Sequence, residues 1–251
     1  MATNETDTHP TSRLWDVPVA FVLLTRLPLP PLPHSAFKQG ARAVWAYPLV
    51  GLGLGLIVSG LAWLAALALP SAIVAGLVLG ALVMLTGAMH EDGFADTADG
   101  LWGGHDAARR LEIMKDSRIG AYGVLALVLA MGLRWQGLID VTWGGLITAL
   151  VVSRAMMVPL MRALPHARND GLAHSVGRPE MGDVSLALGI AAVLAVLFSG
   201  ATGIIALIIA AIVTVGIGAL ANAKIGGQTG DILGATQIAT EIAVLLVLVA
   251  T

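Results

Sequence analysis

The chain has 251 residues, of which 57% are hydrophobic and only 12% are charged, and its formal net charge is −2. A soluble domain usually carries about 25% charged residues, so this composition, with a mean hydropathy of +0.86, excludes an ordinary soluble domain and predicts a membrane protein. The sequence contains no cysteine, which excludes disulfides and thiolate metal sites, and the small net charge gives no reason to expect a nucleic-acid partner.

The chain opens with a polar segment. Glu5 and Asp7 precede its first arginine, which is unlike the basic start of a signal peptide, so we expect residues 1–13 to form a disordered tail. The next segment, Leu14–Leu27, is apolar but too short to span a bilayer, and a proline-rich run follows it at residues 28–33. We expect this segment to be a helix that lies on the membrane interface or dips into it.

Seven apolar runs of spanning or near-spanning length follow. Together they predict an all-α integral membrane protein, a polytopic bundle of about seven transmembrane helices, and we expect residues 14–251 to form a single membrane-embedded catalytic domain. Thirty glycines suit close helix packing in a membrane. The runs are Val44–Leu69, Ala72–Met89, Ala121–Ile139, Trp143–Met161, Val184–Ser199, Ala201–Ala221 and Ile232–Ala250.

The basic residues predict the orientation of the bundle, because cytoplasmic loops are enriched in lysine and arginine. If the N-terminus is cytoplasmic, the polar segments 90–120, 162–183 and 222–231 lie on the cytoplasmic side and contain most of the basic residues. Only Arg134 falls near the other face. The sequence therefore predicts a multi-pass protein of the cytoplasmic (inner) membrane, with a site on its cytoplasmic face.

An acidic segment, His90-Glu-Asp-Gly-Phe-Ala-Asp-Thr-Ala-Asp-Gly100, follows the second run. Asp92, Asp96 and Asp99 are spaced so that they lie within roughly 60° of one another on a helix. Such a cluster favours a bound cation, and oxygen ligands favour Mg²⁺ or Mn²⁺ over Zn²⁺. We therefore predict a Mg²⁺ site with these three ligands and with Glu91, which points about 100° away, as a less certain fourth. The alternative is a solvated acidic loop that starts a helix.

A cationic segment follows, with Arg109, Arg110, Lys115 and Arg118 in ten residues. Beside a metal site these side chains could bind phosphate oxygens through charge-assisted hydrogen bonds. The alternative is that they anchor the loop at the cytoplasmic surface. Asp116 is a further candidate ligand or base, or a partner of Arg118.

Several polar residues near the last three spans are further candidates. Asp231 is a candidate metal ligand or base, or it caps the last helix, while Lys224 and Gln228 contact a nucleotide or belong to an ordinary loop. Arg154 lies inside a span, where a charge requires a partner or a cavity; it is a candidate phosphate ligand, with Glu241 as its candidate partner. A polar loop either recognises a substrate or is simply solvated, and it contains His166, Arg168, Asp170, His174 and Arg178.

These groups together predict a type of chemistry. Carboxylates, a metal and basic side chains without a nucleophilic serine or cysteine are typical of phosphoryl transfer, and the membrane setting suits a large amphipathic substrate. Two alternatives are a cation-coupled transporter, which requires charges near mid-membrane in several spans, and a lipid headgroup phosphotransferase. The sequence leaves open whether the protein forms a homo-oligomer.

The acidic and cationic segments also carry a family resemblance. The run from Glu91 to Gly123 closely resembles cobalamin synthase, or adenosylcobinamide-GDP ribazoletransferase, and the similarity extends to Thr25-Arg-Leu-Pro28, Ala43-Val-Trp-Ala-Tyr-Pro-Leu-Val-Gly51 and Gly227-Gln-Thr-Gly-Asp231-Ile-Leu-Gly-Ala235. The resemblance implies a Mg²⁺-dependent enzyme of the cytoplasmic membrane. It would join adenosylcobinamide-GDP to α-ribazole or its 5′-phosphate, release GMP, and form adenosylcobalamin or its 5′-phosphate.

A second, more distant similarity is to the CDP-alcohol phosphotransferases. Their Asp-x-x-Asp-Gly run, which holds metals, is similar to Asp96-Thr-Ala-Asp99-Gly100. No Ala-Arg pair follows Gly100 at the spacing of that family. This similarity implies a CDP-alcohol-type lipid headgroup phosphotransferase as the alternative enzyme.

Overall fold

The computed structural model describes residues 13–251, so the predicted tail lies outside the described residues except for Arg13. The described part is all α-helical and contains no strand, which confirms the predicted fold class. Thirteen α-helices occur in the described residues: α1 Asp16–Leu24, α2 His34–Phe37, α3 Gly40–Ala43, α4 Tyr47–Ala66, α5 Ser71–Thr86, α6 Met89–Gly103, α7 Ala107–Ile113, α8 Ala121–Asp140, α9 Trp143–Ala155, α10 Met157–Ala163, α11 Leu172–Val176, α12 Met181–Ile225 and α13 Gly230–Ala250.

The long helices coincide with the predicted apolar runs. Within the described residues, five helical segments are long and apolar enough to cross a membrane alone, and α5 with α6 makes a sixth if that bent pair is one broken span. The five are 40–66, 121–140, 143–163, 181–225 and 230–250. The number of crossings, the orientation and the single catalytic domain over residues 14–251 stay predictions.

Helix α12 is a helical hairpin. It would be about 67 Å long if straight, against a hydrocarbon core of about 30 Å. Its backbone is non-helical at Gly200, where φ is 56° and ψ is −136°, and beyond this break Gly203 lies directly against the Ala195 carbonyl. The break at Gly200 therefore separates two helices that correspond to the predicted runs Val184–Ser199 and Ala201–Ala221.

The chain bends sharply between α5 and α6. Gly87 and Ala88 both have left-handed backbone, with φ of 65° and 56°, and the two helices meet at 87°. Gly87 lies against the Arg26 side chain, 2.8 Å from its Cγ at the position where a Cβ would be, so a side chain there would clash. The bend directs the acidic segment into the bundle, where α6 packs against α8 and α13.

The outer surface of the bundle is apolar, and its large exposed hydrophobic side chains include Leu64, Val128, Leu129, Leu197 and Val215. In water such a surface would be unfavourable, whereas in a bilayer it faces lipid. Exposed tryptophans lie towards the same predicted end of three spans, at Trp63, Trp135 and Trp143, as expected at a membrane interface. The described residues thus form a membrane protein.

The N-terminal segment is attached to the bundle by a polar contact. Asp16, at the start of α1, is only 2% exposed. Its carboxylate accepts hydrogen bonds from Arg42, at 2.7 Å, and from the Trp45 indole, at 3.0 Å. Helix α1 ends at Leu24, before the predicted proline-rich breaker, and packs on α3 and α4.

Candidate active site

A cavity of about 150 Å³ opens where α6, α13 and the 164–171 loop meet. Its polar lining comes from Asp92 and His90 on α6, from Asp231 at the start of α13, and from Arg168 in the loop. The rest of the lining is mainly apolar, including Leu24, Met157, Met161, Leu172 and Val176. A few polar groups in an apolar pocket are typical of ligand sites, so this cavity is the candidate active site.

Close contact between glycines sets the position of the carboxylates. Gly93 on α6 lies against the backbone of Asp231, and Gly234 on α13 lies against the backbone of His90. Because neither residue has a side chain, the two helices approach closely enough to bring Asp92, Asp96 and Asp231 together. The carboxylate of Asp96 is repelled by those of Asp92, Asp231 and Asp99 and attracted by Arg168.

Asp99 has a different environment from the other two aspartates on α6. It is buried, and its two carboxylate oxygens accept hydrogen bonds from the backbone N–H groups of Gly120, at 2.7 Å, and Gly123, at 2.9 Å. These groups are at the N-terminus of α8, where the helix dipole favours a negative charge. Asp99 therefore joins α6 to α8, and its prediction as a metal ligand stays a prediction.

Glu91 belongs to a buried network of charges. Arg134 on α8 bonds to Glu91 at 2.7 Å and to Glu241 on α13 at 2.8 Å. Arg154 on α9 lies 3.5 Å from Glu241 and donates to the Leu150 carbonyl and the Ser153 hydroxyl. Two arginines and two glutamates neutralise one another in this network.

This network contains three charged residues that the sequence analysis considered: Arg134, Arg154 and Glu91. Arg134 is buried inside the bundle, and α8 is continuous through it; its position near the other membrane face stays a prediction. Arg154 is 1% exposed and pairs with Glu241, as the sequence suggested, but neither lines the cavity. The roles of Arg154 in phosphate binding and of Glu91 in metal binding stay predictions.

The predicted phosphate-binding cations on and after α7 bond mainly to nearby groups. Arg109 pairs with Glu112 at 2.7 Å, and Arg110 donates to the Gly104 and Lys224 carbonyls. Arg118 pairs with Asp116 at 2.7 Å, and these contacts lower the pKa of the Asp116 carboxyl to about 2. None of these four residues, Arg109, Arg110, Arg118 and Asp116, lines the cavity among the described residues.

Lys224 contacts the end of α6. Its Nζ donates to the Leu101 carbonyl at 2.6 Å and lies 4.5 Å from the centroid of the Trp102 ring. With Arg110 bonded to its carbonyl, Lys224 joins the ends of α6, α7 and α12. Its predicted role in substrate binding stays a prediction.

Arg168 is a residue that the sequence analysis did not single out for the site. Its Nη2 lies 3.2 Å from Asp231 and its Nε lies 3.4 Å from Asp170. Asp170 in turn bonds to Lys115, so charges of alternating sign run from the cationic segment to the cavity. Nothing in the spacing of the 166–178 loop distinguishes Arg168; only the fold brings it to Asp231.

Hydrogen bonds between the Gln228 loop and the loop that carries Arg168 hold Arg168 near Asp231. Gln228 accepts from the Ala167 N–H at 2.9 Å, donates its own N–H to the Pro165 carbonyl at 2.8 Å, and places its amide 2.8 Å from His166 Nδ1. Burial, with smaller effects from His174 and Arg178, lowers the pKa of His166 and favours its neutral form. Gln228 thus holds the loop that carries Arg168, and its predicted contact with a nucleotide stays a prediction.

The carboxylates suit Mg²⁺ in their chemistry. Within residues 13–251, no three His, Asp or Glu side chains converge closely enough to enclose a metal by themselves. Mg²⁺, however, is usually held by one or two carboxylates together with water and substrate phosphates. Mutually repelling aspartates beside a cavity fit that requirement, and Asp92, Asp96 and Asp231 are the residues available.

Sequence comparisons identify similar proteins over almost the whole chain. The family model described as cobalamin-5-phosphate synthase matches residues 16–249. A protein from Rhizobium meliloti is 43% identical over 249 residues, covering 92% of this chain and 95% of its own, and one from Mesorhizobium japonicum is 42% identical over 247 residues, covering 95% and 94%. A third, from Bradyrhizobium diazoefficiens, is 41% identical over 239 residues and covers 92% of each chain.

All three relatives are named adenosylcobinamide-GDP ribazoletransferase. No solved structure is significantly similar to the chain.

Proposed function

The chain belongs to the cobalamin-5-phosphate synthase family, and from this we propose that it joins adenosylcobinamide-GDP to α-ribazole, or to its 5′-phosphate, and releases GMP. Its relatives are transferases named for that donor and for ribazole. The protein is accordingly a membrane transferase of late cobalamin biosynthesis. The lipid headgroup and transporter alternatives have no comparable support.

The observation that carries the proposal is the placement of Arg168, Asp92 and Asp231 in the lining of one cavity, with Asp96 close enough to interact with all three charges. Transfer of a phosphoryl-linked group requires positioning and neutralisation of charge more than covalent participation by the enzyme. The cavity offers both signs of charge, and most of the rest of its lining is apolar.

In the proposed reaction, a ribose hydroxyl oxygen of α-ribazole, other than the 5′-oxygen that carries the phosphate in the alternative acceptor, attacks the phosphorus that carries cobinamide. A new P–O bond forms, the P–O bond to the GMP phosphate breaks, and GMP leaves with that electron pair. The hydroxyl proton passes to a carboxylate, for which Asp92 and Asp231 are the candidates that line the cavity. Arg168 neutralises part of the charge on the phosphates.

The predicted Mg²⁺ would be held by Asp96 and one of Asp92 and Asp231, together with water and substrate phosphate, and the other carboxylate would be free to take the proton. When bound, Mg²⁺ neutralises phosphate charge and stabilises the leaving oxygen. Asp99, whose two oxygens bind the α8 N-terminus, positions α6 and completes the acidic cluster.

A second cavity gives room for the apolar parts of the substrates. It measures about 480 Å³ and shares Leu23, Met89, Leu172 and Val176 with the first. Its remaining lining includes Phe37 and Arg26. We propose that the two cavities form a continuous cleft for the reacting ends of both substrates, on the cytoplasmic side of the inner membrane.

The direct experiment uses the purified protein in lipid nanodiscs with adenosylcobinamide-GDP, α-ribazole and Mg²⁺. We expect GMP and a corrinoid product in equal amounts, formed only when both substrates are present, and little turnover in EDTA. A matched donor with CDP in place of GDP should react poorly. Release of GMP without α-ribazole, or efficient use of the CDP donor, would contradict the proposal.

A further inference from the structure

Arg168 has unused hydrogen-bonding capacity at the cavity wall. Its side chain is 18% exposed, and two ion pairs join it to carboxylates: Nη2 lies 3.2 Å from Asp231 and Nε lies 3.4 Å from Asp170. Among the described residues, Nη1 is buried without a partner, and Nε is buried beside Asp170 without a hydrogen bond to it. A guanidinium has five N–H donors in a planar fork, and leaving buried donors unpaired costs free energy, so this site favours a ligand that accepts several hydrogen bonds.

The charges around the cavity define the chemistry of that ligand. Arg168 is the only lysine or arginine that lines it among the described residues. The nearby Asp92 and Asp231 would repel an anion, and the predicted phosphate-binding cations make their contacts elsewhere. A phosphate that enters this cavity therefore has one guanidinium with which to pair.

The loop that carries Arg168 is held rigidly before any ligand binds. Gln228 bonds to the backbone on both sides of His166, and Gly227 lies directly against the Pro165 carbonyl. The same short segment leads through Thr229 to Asp231, whose carboxylate accepts from the Thr229 hydroxyl at 3.1 Å. Arg168 and Asp231 are thus fixed relative to each other, and such preorganisation lowers the entropic cost of binding.

We propose that Arg168 is the phosphate-binding residue of this site, and that its fork holds oxygens of the donor's pyrophosphate. Before the donor binds, Asp231 lies beside Nη2 and Asp170 lies beside Nε, and Nη1 is the nitrogen without a partner among the described residues that a phosphate oxygen can pair with. Arginine suits this role better than lysine because its planar fork matches phosphate geometry. The inference rests on the proposed function, since that function supplies the pyrophosphate.

The test compares wild type, Arg168→Gln and Arg168→Lys in nanodiscs, with calorimetric titration of GMP and with steady-state kinetics. We expect Arg168→Gln to weaken GMP binding by about tenfold or more, with an intermediate loss for Arg168→Lys. KM for the donor should rise while KM for unphosphorylated α-ribazole changes little, a split that general damage to the fold would not produce.

Arg178→Gln is the matched control, because Arg178 is in the same loop but bonds to the Arg162 carbonyl away from the cavity. It should bind GMP within about twofold of wild type. If Arg168→Gln fails to fold, Arg168→Lys, which keeps the charge beside Asp231, decides the question by the same KM split. If wild type releases GMP and both Arg168 variants bind GMP as wild type does, the assignment is wrong; if wild type releases no GMP, the proposed function fails.

Discussion

Asp96 and Asp99 lie on the same helix but have different surroundings. Asp96 is half-buried beside three other carboxylates that repel it. Asp99 is buried and bonded through both oxygens to the N-terminus of α8. A bound cation would therefore relieve the repulsion on Asp96, whereas Asp99 already stabilises the contact between α6 and α8.

This difference predicts opposite effects on stability. Asp99→Asn removes a charge from a helix N-terminus and turns one acceptor into a donor, so it should lower the free energy of unfolding by about 0.5–2 kcal/mol. Asp96→Asn removes repulsion and should leave stability unchanged or raise it. Thermal unfolding of both variants in one detergent, without added metal, measures this; equal destabilisation by the two would contradict the described environments.

Helices α6 and α13 depend on each other for the geometry of the site. Their contact rests on Gly93 and Gly234, which bring the two backbones together at the level of Asp231. A small residue at a helix crossing is a common way to allow close approach in membranes. The distance between the carboxylates on α6 and the residues on α13 is therefore set by backbone packing.

Gly93→Ala tests this contact. Its Cβ would lie 2.9 Å from the Asp231 Cα, so α13 must move, at a cost of about 1–3 kcal/mol. The rate of GMP release should fall by about tenfold or more, because small misplacements of reacting groups slow a reaction strongly.

Gly80→Ala on α5 is the control for that substitution. A Cβ at Gly80 meets nothing within 4 Å, and alanine favours a helix by about 1 kcal/mol over glycine. We expect it to keep full activity. A Gly93→Ala variant as active and stable as Gly80→Ala would show that the close contact does not set the site.

The sequence predicts the long elements well and their breaks less well. The apolar runs correctly locate the long helices, including the two helices on either side of the break at Gly200. The bend at Gly87 and Ala88 is not predictable from periodicity, because alanine rarely adopts left-handed backbone. The helical spacing of Asp92, Asp96 and Asp99 correctly predicts that the acidic segment is a helix, but it does not predict that the bend directs this helix into the bundle.

The buried charge network joins four helices across the interior. Arg134 on α8, Arg154 on α9, Glu241 on α13 and Glu91 on α6 compensate one another's charges. The sequence suggested the pairing of Arg154 with Glu241, but the part played by Arg134 and Glu91 depends on the bend before α6. The position of Arg168 beside Asp231 is likewise not predictable from the sequence, because it depends on the hydrogen bonds between Gln228 and the backbone of residues 165–167.

Arg134→Gln should therefore destabilise the whole molecule. It leaves Glu91 and Glu241 buried with much less compensation, and the loss of one partner of a buried ion pair typically costs about 3–5 kcal/mol. Arg118→Gln, at a side chain that is 86% exposed, is the control and should unfold at the wild-type temperature. Chemical unfolding in mixed micelles compares them, and equal stability of the two variants would contradict the network's structural role.

The central claim is that group transfer takes place at the carboxylates Asp92, Asp96 and Asp231. The most direct measurement is the initial rate of α-ribazole-dependent GMP release by wild type and Asp96→Asn, at equal amounts of folded protein in nanodiscs. We predict that the variant loses activity by about 100-fold or more, as the loss of several kcal/mol of charge stabilisation requires, while its fold is retained. A folded Asp96→Asn variant that releases GMP at the wild-type rate would contradict the assignment of the active site.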